Sequence, residues 1–565
     1  MSTALEAASL IMIPTSYSDG LLASVKPNDG AGDFTFTRGS NISATRVNAD
    51  GNIEKGYENL LTYSNDFSQW TKSGITATSG QSGYDGSSDA WIITKSGGAF
   101  DQILRNVSSS GVNTISFYAK AGTFTSVYFR GQASSNIPDV KFNLSDGSLT
   151  TSNNVISASS DDIGSGWYRL KMTFSNTITN VTIYPDFGQT TAGTIYIQDA
   201  MLNQGLVAYP YVETTTATVA GGILEDMPRL DYSGSCPALL LEPQRTNLIR
   251  HSEYFLGENN WFGGPLTFGY DSSILNPENY YGCTTAIGNN LKRYSVINGV
   301  SVGTKLSYSI FAKSNSNANF TLGGIAGDEW ATFNINAGTL ISQGSSVDSY
   351  DIVDYSNGWR KYVVNTTFQD AIGNGHVYVN ISWNDAIEPA YLYGLQLEQD
   401  ATYPTSYIPT YGVSQTRLKD SGTAGDISSI VNSPEGTIFT EFAKIDDFDS
   451  FQLDDGSLNN RITLYPRNDT QTITFIFTIN GVEVIRGNPR PTGLDTTAFN
   501  KYAIAWGLND FRVYVNGLNI YTSTSNITFG SGIIYDLDLI GANHKQFLLF
   551  PTALSDDECI TLTTI

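Results

Sequence analysis

Short stretches of alternating apolar and polar residues predict β-strands along most of this chain. Residues 114–119 and 305–311 are clear examples, because every second side chain would face a core and the others solvent. Asn-Gly and Asp-Gly pairs, which favour tight hairpin turns, separate such stretches at 146–147 and 516–517. The chain shows no long stretch with the 3.6-residue period of a helix. The pattern predicts an all-β fold of tandem antiparallel jelly-roll β-sandwiches.

The chain repeats one module. The motif at 59–70 (NLLTYSNDFSQW) returns at 247–261 (NLIRHSEYFLGENNW), and FYAK at 117–120 returns as IFAK at 310–313. GWYR at 166–169 and GWRK at 358–361 follow in the same order. Two tandem copies are the simplest interpretation. The predicted segments are an N-terminal segment (1–57), jelly-roll module 1 (58–220), a structured connector (221–245), jelly-roll module 2 (246–417) and a third sandwich (418–565).

Composition narrows the classes of function. The 565 residues carry 31 Lys and Arg against 54 Asp and Glu, a net charge of −23, which disfavours nucleic acid as a partner. The best apolar run near the N-terminus, at 7–13, is too short for membrane insertion. Its apolar residues favour a first β-strand over burial against a partner. Three cysteines and three histidines argue against a disulfide framework and a typical metalloenzyme.

The last quarter of the chain resembles the laminin-G and concanavalin-like family. The resemblance rests on YVNG at 514–517, in which the Asn-Gly pair would turn a hairpin, and on the late strand FLLF at 547–550 followed by ALSDDE at 553–558. Ser555 and Glu558 also have the spacing of a capping box, which predicts a short helix independently. The resemblance implies a laminin-G-like sandwich for residues 418–565.

Other phrases resemble bacteriophage virion proteins of the tail- or head-fibre type. They are FTFTRGS at 34–40, ATRVN at 44–48, GNIE at 51–54, PRLDY at 228–232 and LEPQRTNL at 241–248. The resemblance implies display on the virion, contacts with other virion proteins and a homotrimer, with segment 1–57 docking on the particle. The modules are similar to carbohydrate-binding jelly rolls, which implies attachment to host-surface glycans by multivalent display.

Exposed aromatic rings are the residues most suited to hold a sugar, because sugar CH groups stack on their faces. Tryptophans at repeated positions (Trp70, Trp167, Trp261 and Trp359) are expected to be core. The candidate carbohydrate-binding residues are therefore the unrepeated Trp91, Trp330 and Trp383. Trp506, in an alternating strand, is expected to be core as well.

No catalytic residues are predicted, and the chain is not expected to be an enzyme. The GxSxG match at 299–303 precedes a predicted strand, whereas a nucleophile elbow requires a following helix. The Glu-x-Asp-x-x-Glu run of concanavalin-like glucanases is absent, since Tyr403 follows Glu398 and Asp400 where the last Glu belongs. No cofactor is expected beyond a structural calcium ion that the acid-rich segment at 446–456 would suit.

Two alternatives to the glycan-attachment function stay open at the level of sequence. A capsid or tail decoration protein would make purely structural contacts with its neighbours. A polysaccharide depolymerase would need two carboxylates facing each other across a cleft, and 54 acidic residues leave room for such a pair.

Overall fold

The chain forms two compact units in a computed structural model. Unit 1 comprises Met1–Gly51, Ile223–Arg245 and Arg417–Ile565, and unit 2 comprises Asn52–Gly222 and Thr246–Thr416. The described residues are 2–15, 17–18, 20–39, 43–234, 236–257, 261–297, 300–324, 328–370, 373, 376–445, 450–467 and 470–564. Nearly all regular structure in them is antiparallel β-sheet, which confirms the predicted all-β fold.

Unit 1 is a sandwich of two sheets. In spatial order, the first contains Leu230–Asp231, Ala238–Leu240, Ala542–Phe550, Gly436–Lys444, Asn500–Gly507, Asp510–Val515 and Leu518–Ser523, with Leu10–Met12 also paired to Ala542–Phe550. The second contains Tyr17–Ser18, Leu21–Leu22, Phe34–Thr37, Ser421–Gly425, Asp536–Leu539, Phe451–Asp454, Arg461–Arg467, Thr472–Ile479 and Val482–Gly487. Their inward-facing side chains form one apolar core that includes Phe36, Leu239, Phe475 and Trp506. Unit 1 also contains the strand Thr45–Val47 and the helix Ser2–Ala7.

The hairpin turn and the short helix predicted near the C-terminus are both present in the structure. Asn516 and Gly517 both have positive φ angles, 47° and 80°, which is the geometry that a two-residue hairpin turn of the primed type requires. The helix Asp556–Thr563 begins at the predicted capping box, in which the Ser555 backbone N–H donates to Glu558 Oε2 at 2.8 Å.

The segment boundaries differ from those expected from the sequence. The N-terminal segment and the connector, predicted as separate pieces at 1–57 and 221–245, mostly belong to unit 1, together with the C-terminal sandwich. Leu10 pairs with Leu549, and Leu239 pairs with His544, so both segments add strands to the sheet of the C-terminal sandwich. The expected N-terminal strand is confirmed, and its docking role stays a prediction.

A buried charge cluster links the three chain segments of unit 1. It consists of Arg38, Arg229, Glu242, Arg417 and Asp420, whose side chains are at most 4% exposed. Glu242 Oε2 lies 2.9 Å from both Arg229 Nη1 and Arg417 Nη1, while Asp420 accepts from Arg229 and lies 3.4 Å from Arg38 Nη1. We call this set the arginine cluster. The phage-like phrases at 34–40, 228–232 and 241–248 supply three of its members.

Module 1 of unit 2 is a sandwich of two six-stranded sheets, as predicted. The first contains, in spatial order, Ser157–Gly164, Trp167–Ser175, Val112–Ala121, Gly193–Gln204, Ala90–Lys95 and Ile75–Gln81. The second contains Leu149–Asn153, Asp139–Asn143, Ser126–Gln132, Ile178–Pro185, Gln102–Ser109 and Thr71–Ser73. Shorter elements are the strands Ile53–Lys55, Tyr57–Asn59 and Val219–Gly221 and the 3-10 helix Phe67–Gln69.

Module 2 repeats the sandwich with one continuous sheet that contributes to both layers. Its spatial order is Thr339–Gln343, Trp330–Asn334, Asn319–Gly323, Val377–Gln399, Lys305–Lys313, Arg360–Thr367 and Val347–Asp354, and Tyr281–Ile297 joins Val377–Gln399 to Trp261–Gly263 and Thr267–Leu275. The 23-residue strand Val377–Gln399 pairs with Asn319–Gly323 along its first half and with Lys305–Lys313 along its second half. Shorter elements are the strands Arg245–Asn247 and Gln415–Arg417 and the 3-10 helices Phe255–Gly257 and Ser356–Gly358.

A second buried polar cluster joins the two modules within unit 2. Lys55 Nζ lies 2.5 Å from Glu253 Oε1 and 2.8 Å from Glu278 Oε1, and all three side chains are at most 2% exposed. Tyr209 of module 1 donates to Glu278 Oε2 at 2.8 Å, and Tyr393 of module 2 donates to the other oxygen of Glu278. Burial and the neighbouring Glu253 raise the pKa of Glu278 above its ordinary value. We call this set the lysine cluster.

We predict that Arg229→Met destabilises unit 1 by about 3–5 kcal/mol, because it leaves Glu242 and Asp420 buried with too few donors. Calorimetric unfolding of the full chain measures the effect. Arg486→Met is the matched control, since Arg486 pairs with Glu483 on the surface of the same unit and its side chain is 46% exposed. The control should change stability by less than about 1 kcal/mol. Equal effects of the two substitutions would contradict the role given to the arginine cluster.

Candidate functional site

A cavity of about 440 Å³ opens on module 1 beside Trp91. We call it the Trp91 cavity. Its volume lies in the range of small-molecule binding sites, and its walls come from four separate stretches of module 1. The lining residues are Tyr63, Asn65, Asp66, Ser79, Gly80, Ser88, Asp89, Trp91, Glu213, Thr214 and Thr215.

The strand Ala90–Lys95 positions Trp91 at the boundary between core and solvent. Trp91 pairs with Ile197 on one side, and its ring meets Phe67 edge-on with a centroid separation of 6.1 Å. Trp91 is half-buried and packs against the core of module 1. One part of the indole is thus held rigidly while another part lines the cavity, which is the arrangement that a stacking platform needs.

The repeated motif fixes the loop that forms one wall of the cavity. Asn59 Nδ2 donates to Ala200 O at 3.2 Å and to Val212 O at 2.9 Å. Ser64 Oγ and the Tyr211 hydroxyl are hydrogen-bonded at 2.7 Å. Module 2 has the same framework, since Asn247 Nδ2 donates to Leu395 O and Ile408 O and Ser252 Oγ contacts the Tyr407 hydroxyl at 2.6 Å. The motif therefore supplies a scaffold in both copies.

The two copies differ at the residues that follow this scaffold. Module 1 has Asn65 and Asp66, which line the Trp91 cavity. Module 2 has Glu253 and Tyr254 at the corresponding places, and Glu253 is buried against Lys55 in the lysine cluster. Asn65 therefore lines a cavity in module 1, whereas the corresponding residue of module 2, Glu253, forms a buried ion pair that links the two modules.

Polar groups surround the indole on the other walls. Asp66 Oδ1 caps the short helix Phe67–Gln69 by accepting from the Ser68 backbone N–H at 3.1 Å. Asp89 Oδ1 accepts from Gln198 Nε2 at 2.7 Å, and Glu213 is exposed. Asn65 Oδ1 accepts from the Asp199 backbone N–H at 3.2 Å. The cavity thus combines two aromatic residues, Trp91 and Tyr63, with three carboxylates and an amide.

Asp199, whose backbone N–H donates to Asn65, has a left-handed backbone conformation and a raised side-chain pKa. Its φ angle of 53° is in the left-handed region, at a bulge where the strand Gly193–Gln204 shifts register against Val112–Ala121. The Tyr84 hydroxyl donates to Asp199 Oδ2 at 2.9 Å. Burial, and then the negative charges of Asp89, Asp85 and Glu213, raise the pKa of Asp199 to about 7. The wall around Asp199 therefore carries less negative charge below pH 7.

The structure separates the three predicted sugar-binding tryptophans. Trp91 lines the cavity, and Trp330 is half-buried on the strand Trp330–Asn334 of module 2, so its role stays a prediction. The prediction for Trp383 is wrong, because Trp383 is 0% exposed in the core of module 2 and its Nε1 donates to Glu388 O at 2.9 Å. The tryptophans expected to be core are at most 2% exposed at Trp70, Trp167, Trp359 and Trp506, whereas Trp261 is half-buried.

Sequence reasoning did not single out the residues that complete the cavity, such as Tyr63, Asp89 and Glu213. They lie up to about 150 residues apart, and only the pairing of strands brings them together. One signal in the sequence was the divergence of the second motif copy at Asn65 and Asp66, and the motif also diverges at Thr62 and Tyr63.

The other predicted chemical sites have these outcomes. Ser301 precedes a turn that leads into the strand Lys305–Lys313, not into a helix, which is incompatible with a nucleophile elbow. The acidic residues 446–449 lie outside the described residues, and Asp454 is buried on the strand Phe451–Asp454. Within the described ranges, no group of three or more His, Cys, Asp or Glu side chains is placed to hold a metal ion.

No helix in those ranges has the length and apolar character needed to cross a membrane.

No protein-family model matches this chain, and no curated protein matches it. Parts of the chain are similar to solved structures. CBM40 of the Ruminococcus gnavus IT-sialidase, bound to α2,3-sialyllactose, is 17% identical, with 25% of this chain and 91% of that chain covered and a TM-score of 0.22. Domain 4 of the Geobacillus stearothermophilus extracellular arabinanase AbnA, in complex with arabinotriose, is 12% identical over 27% of this chain and 77% of that chain, with a TM-score of 0.22. A human galectin-16 variant is 18% identical, with 21% of this chain and 88% of that chain covered and a TM-score of 0.18.

We predict that Asp199→Asn stabilises unit 2 more at pH 8 than at pH 5. A carboxyl whose folded pKa is raised contributes stability that is present below its unfolded value and is lost as pH rises through about 7. Asn keeps an acceptor for Tyr84 and tolerates the left-handed backbone, so the gain at pH 8 is on the order of 2 kcal/mol. Calorimetry across this pH range measures it.

Asp400→Asn is the matched control, since Asp400 also has a left-handed φ of 55° but is exposed in the same unit. The control should not change the pH dependence of melting. A stability difference for Asp199→Asn that does not grow as pH rises would show that the Asp199 carboxyl is ionised without cost.

Proposed function

We propose that module 1 binds a neutral saccharide in the Trp91 cavity. The observation that carries the proposal is a rigidly held indole face beside an amide, hydroxyls and carboxylates in one cavity. The CH face of a sugar ring stacks on indole, and its hydroxyls donate to carboxylate and amide oxygens. Because Asp66, Asp89 and Glu213 make the cavity electronegative, an uncharged sugar fits it better than an anionic one.

We further propose that the bound saccharide is held and not cleaved. Two of the three cavity carboxylates hold protein structure, since Asp66 caps the helix Phe67–Gln69 and Asp89 accepts from Gln198. A glycosidase needs one carboxylic acid ready to donate a proton and a second carboxylate free to attack or to activate water. Those hydrogen bonds hold Oδ1 of Asp66 and Oδ1 of Asp89 in structural contacts, which favours a structural role for both carboxylates.

The biological setting that we propose is a fibre-type bacteriophage virion protein that attaches to host-surface glycans. The support is the set of phage-like phrases, three of which supply members of the arginine cluster in unit 1. Display as a homotrimer, in many copies on one particle, would raise the effective concentration of a weak site well above what one copy achieves. Neighbouring virion proteins would be the other partners.

We expect Trp91→Ala to weaken binding of a neutral oligosaccharide at least tenfold, which corresponds to about 1.4 kcal/mol of lost stacking. Trp91→Phe should retain part of the affinity, because a smaller ring still stacks. Isothermal titration of the full chain with neutral hits from a glycan array provides the measurement. Phe100→Ala is the control, since Phe100 is a 66% exposed aromatic residue of the same module outside the cavity.

A polysaccharide that contains the bound sugar is incubated with the same protein samples, and its degree of polymerisation is measured. Saturable binding that Trp91→Ala removes, without shortening of the polymer, is the expected result. Shortened polymer would overturn the proposal that the sugar is not cleaved. Binding to host cells but to no glycan, or binding that Trp91→Ala leaves intact, would overturn the assignment of the site. An absence of binding to both would instead favour a decoration protein with purely structural contacts.

A further inference from the structure

A second cavity, of about 400 Å³, lies between the two modules inside unit 2. We call it the Arg169 cleft. Module 1 contributes Arg169, Lys171 and Asp161, and module 2 contributes Tyr270, Tyr280 and Tyr281. Its composition differs from that of the Trp91 cavity, because cations and tyrosine rings take the place of indole and carboxylates.

Arg169 has hydrogen-bonding capacity to spare. It lies on the strand Trp167–Ser175, and its Nη2 donates to Ser116 Oγ at 3.3 Å and to the backbone carbonyl of Tyr209. Nε is buried and makes no hydrogen bond to any residue that the structure describes. A guanidinium whose donors are not all satisfied by protein acceptors favours an anion beside the part of the group that lines the cleft.

The charged residues that line the cleft, which are Arg169, Lys171 and Asp161, sum to one net positive charge. Asp161 pairs in register with Arg169 across neighbouring strands, yet its carboxylate contacts Lys171 Nζ at 2.7 and 2.8 Å. Two cations therefore face one carboxylate. In a chain of net charge −23 this is a local exception, and it would attract an anionic ligand that the rest of the surface repels.

The three tyrosines of the cleft add an aromatic surface on which a sugar ring could stack. Tyr281 is 64% exposed at the mouth of the cleft, and Tyr270 and Tyr280 lie deeper. Ser157, Ser159 and Asn279 are further polar residues of the lining. Aromatic faces with hydroxyls and amides suit a sugar ring, and a guanidinium suits a carboxylate or sulfate group on that ring.

We propose that the Arg169 cleft binds an acidic saccharide, with its anionic group on Arg169 and Lys171 and its ring against Tyr281. This site is separate from the Trp91 cavity and does not depend on the function proposed for it. The carboxylates of the Trp91 cavity repel the acidic saccharide that the cleft attracts, so the two sites would bind different sugars.

The full chain is titrated with three oligosaccharides of equal length: a hexuronate, its carboxyl-reduced neutral form and a sulfated form. We expect the binding that Tyr281→Ala removes to be at least tenfold tighter for an acidic form than for the neutral form, with affinity falling as salt rises. The hexuronate and sulfated arms identify the anionic group. Tyr281→Ala and Lys171→Gln should each weaken acidic binding at least fivefold.

Lys305→Gln is the matched control, because Lys305 forms a comparable surface ion pair with Asp348 at 3.0 Å in module 2. It should leave acidic binding unchanged, and so should Trp91→Ala, which separates this proposal from the first one. Tyr281 is largely exposed, so loss of binding in that variant at an unchanged melting temperature cannot come from unfolding. No saturable binding of either acidic form, or acidic binding that both cleft variants leave intact, would overturn the proposal.

Discussion

The arginine cluster is the interaction on which the architecture of unit 1 depends. Burying five charged side chains costs several kcal/mol for each ion, and only close pairing with further hydrogen bonds offsets that cost. Thr45 O accepts from Arg229 at 2.8 Å and Pro243 O accepts from Arg417 at 3.1 Å, so backbone carbonyls take donors that two carboxylates cannot satisfy. Since the five residues come from three distant segments, the charges are satisfied only when all three segments are in place.

The lysine cluster applies the same constraint inside unit 2. Lys55 ends the strand Ile53–Lys55 of module 1, and both of its carboxylate partners belong to module 2. Burial disfavours each charge alone, so separating the modules would leave Lys55 or the two glutamates unpaired in an apolar setting. Glu253 takes this role at a place where module 1 has Asn65, and the sequence repeat thus provides one scaffold with two uses. Divergence at a single site left one copy with an open cavity and gave the other a structural anchor.

The Trp91 cavity and the Arg169 cleft differ in charge, and this contrast would give the proposed function its specificity. The Trp91 cavity presents three carboxylates and an indole, whereas the Arg169 cleft presents two cations against one carboxylate, with tyrosine rings. Electrostatic repulsion disfavours an acidic sugar in the first, and a neutral sugar gains nothing from the guanidinium in the second. A protein with both sites on one unit would engage a mixed polysaccharide at two kinds of residue, and multivalent display would multiply each weak contact.

The sequence by itself determined the strands, the turns and the repeat, because these depend on neighbours within a few residues. Period-two alternation predicted the strands Val112–Ala121 and Lys305–Lys313, the Asn-Gly pair the turn after Val515, and Ser555 with Glu558 the last helix. The expectation that one face of those two strands meets solvent is wrong, because both faces are buried along most of their length. Only the tertiary structure decided which strands share a sheet and which tryptophan meets solvent. Leu10 pairs with Leu549 across more than 500 residues, and Trp91 and Trp383 look alike in sequence although one lines a cavity and the other is core. Burial and pairing are properties of what packs against a residue, and no local pattern encodes a partner that far away.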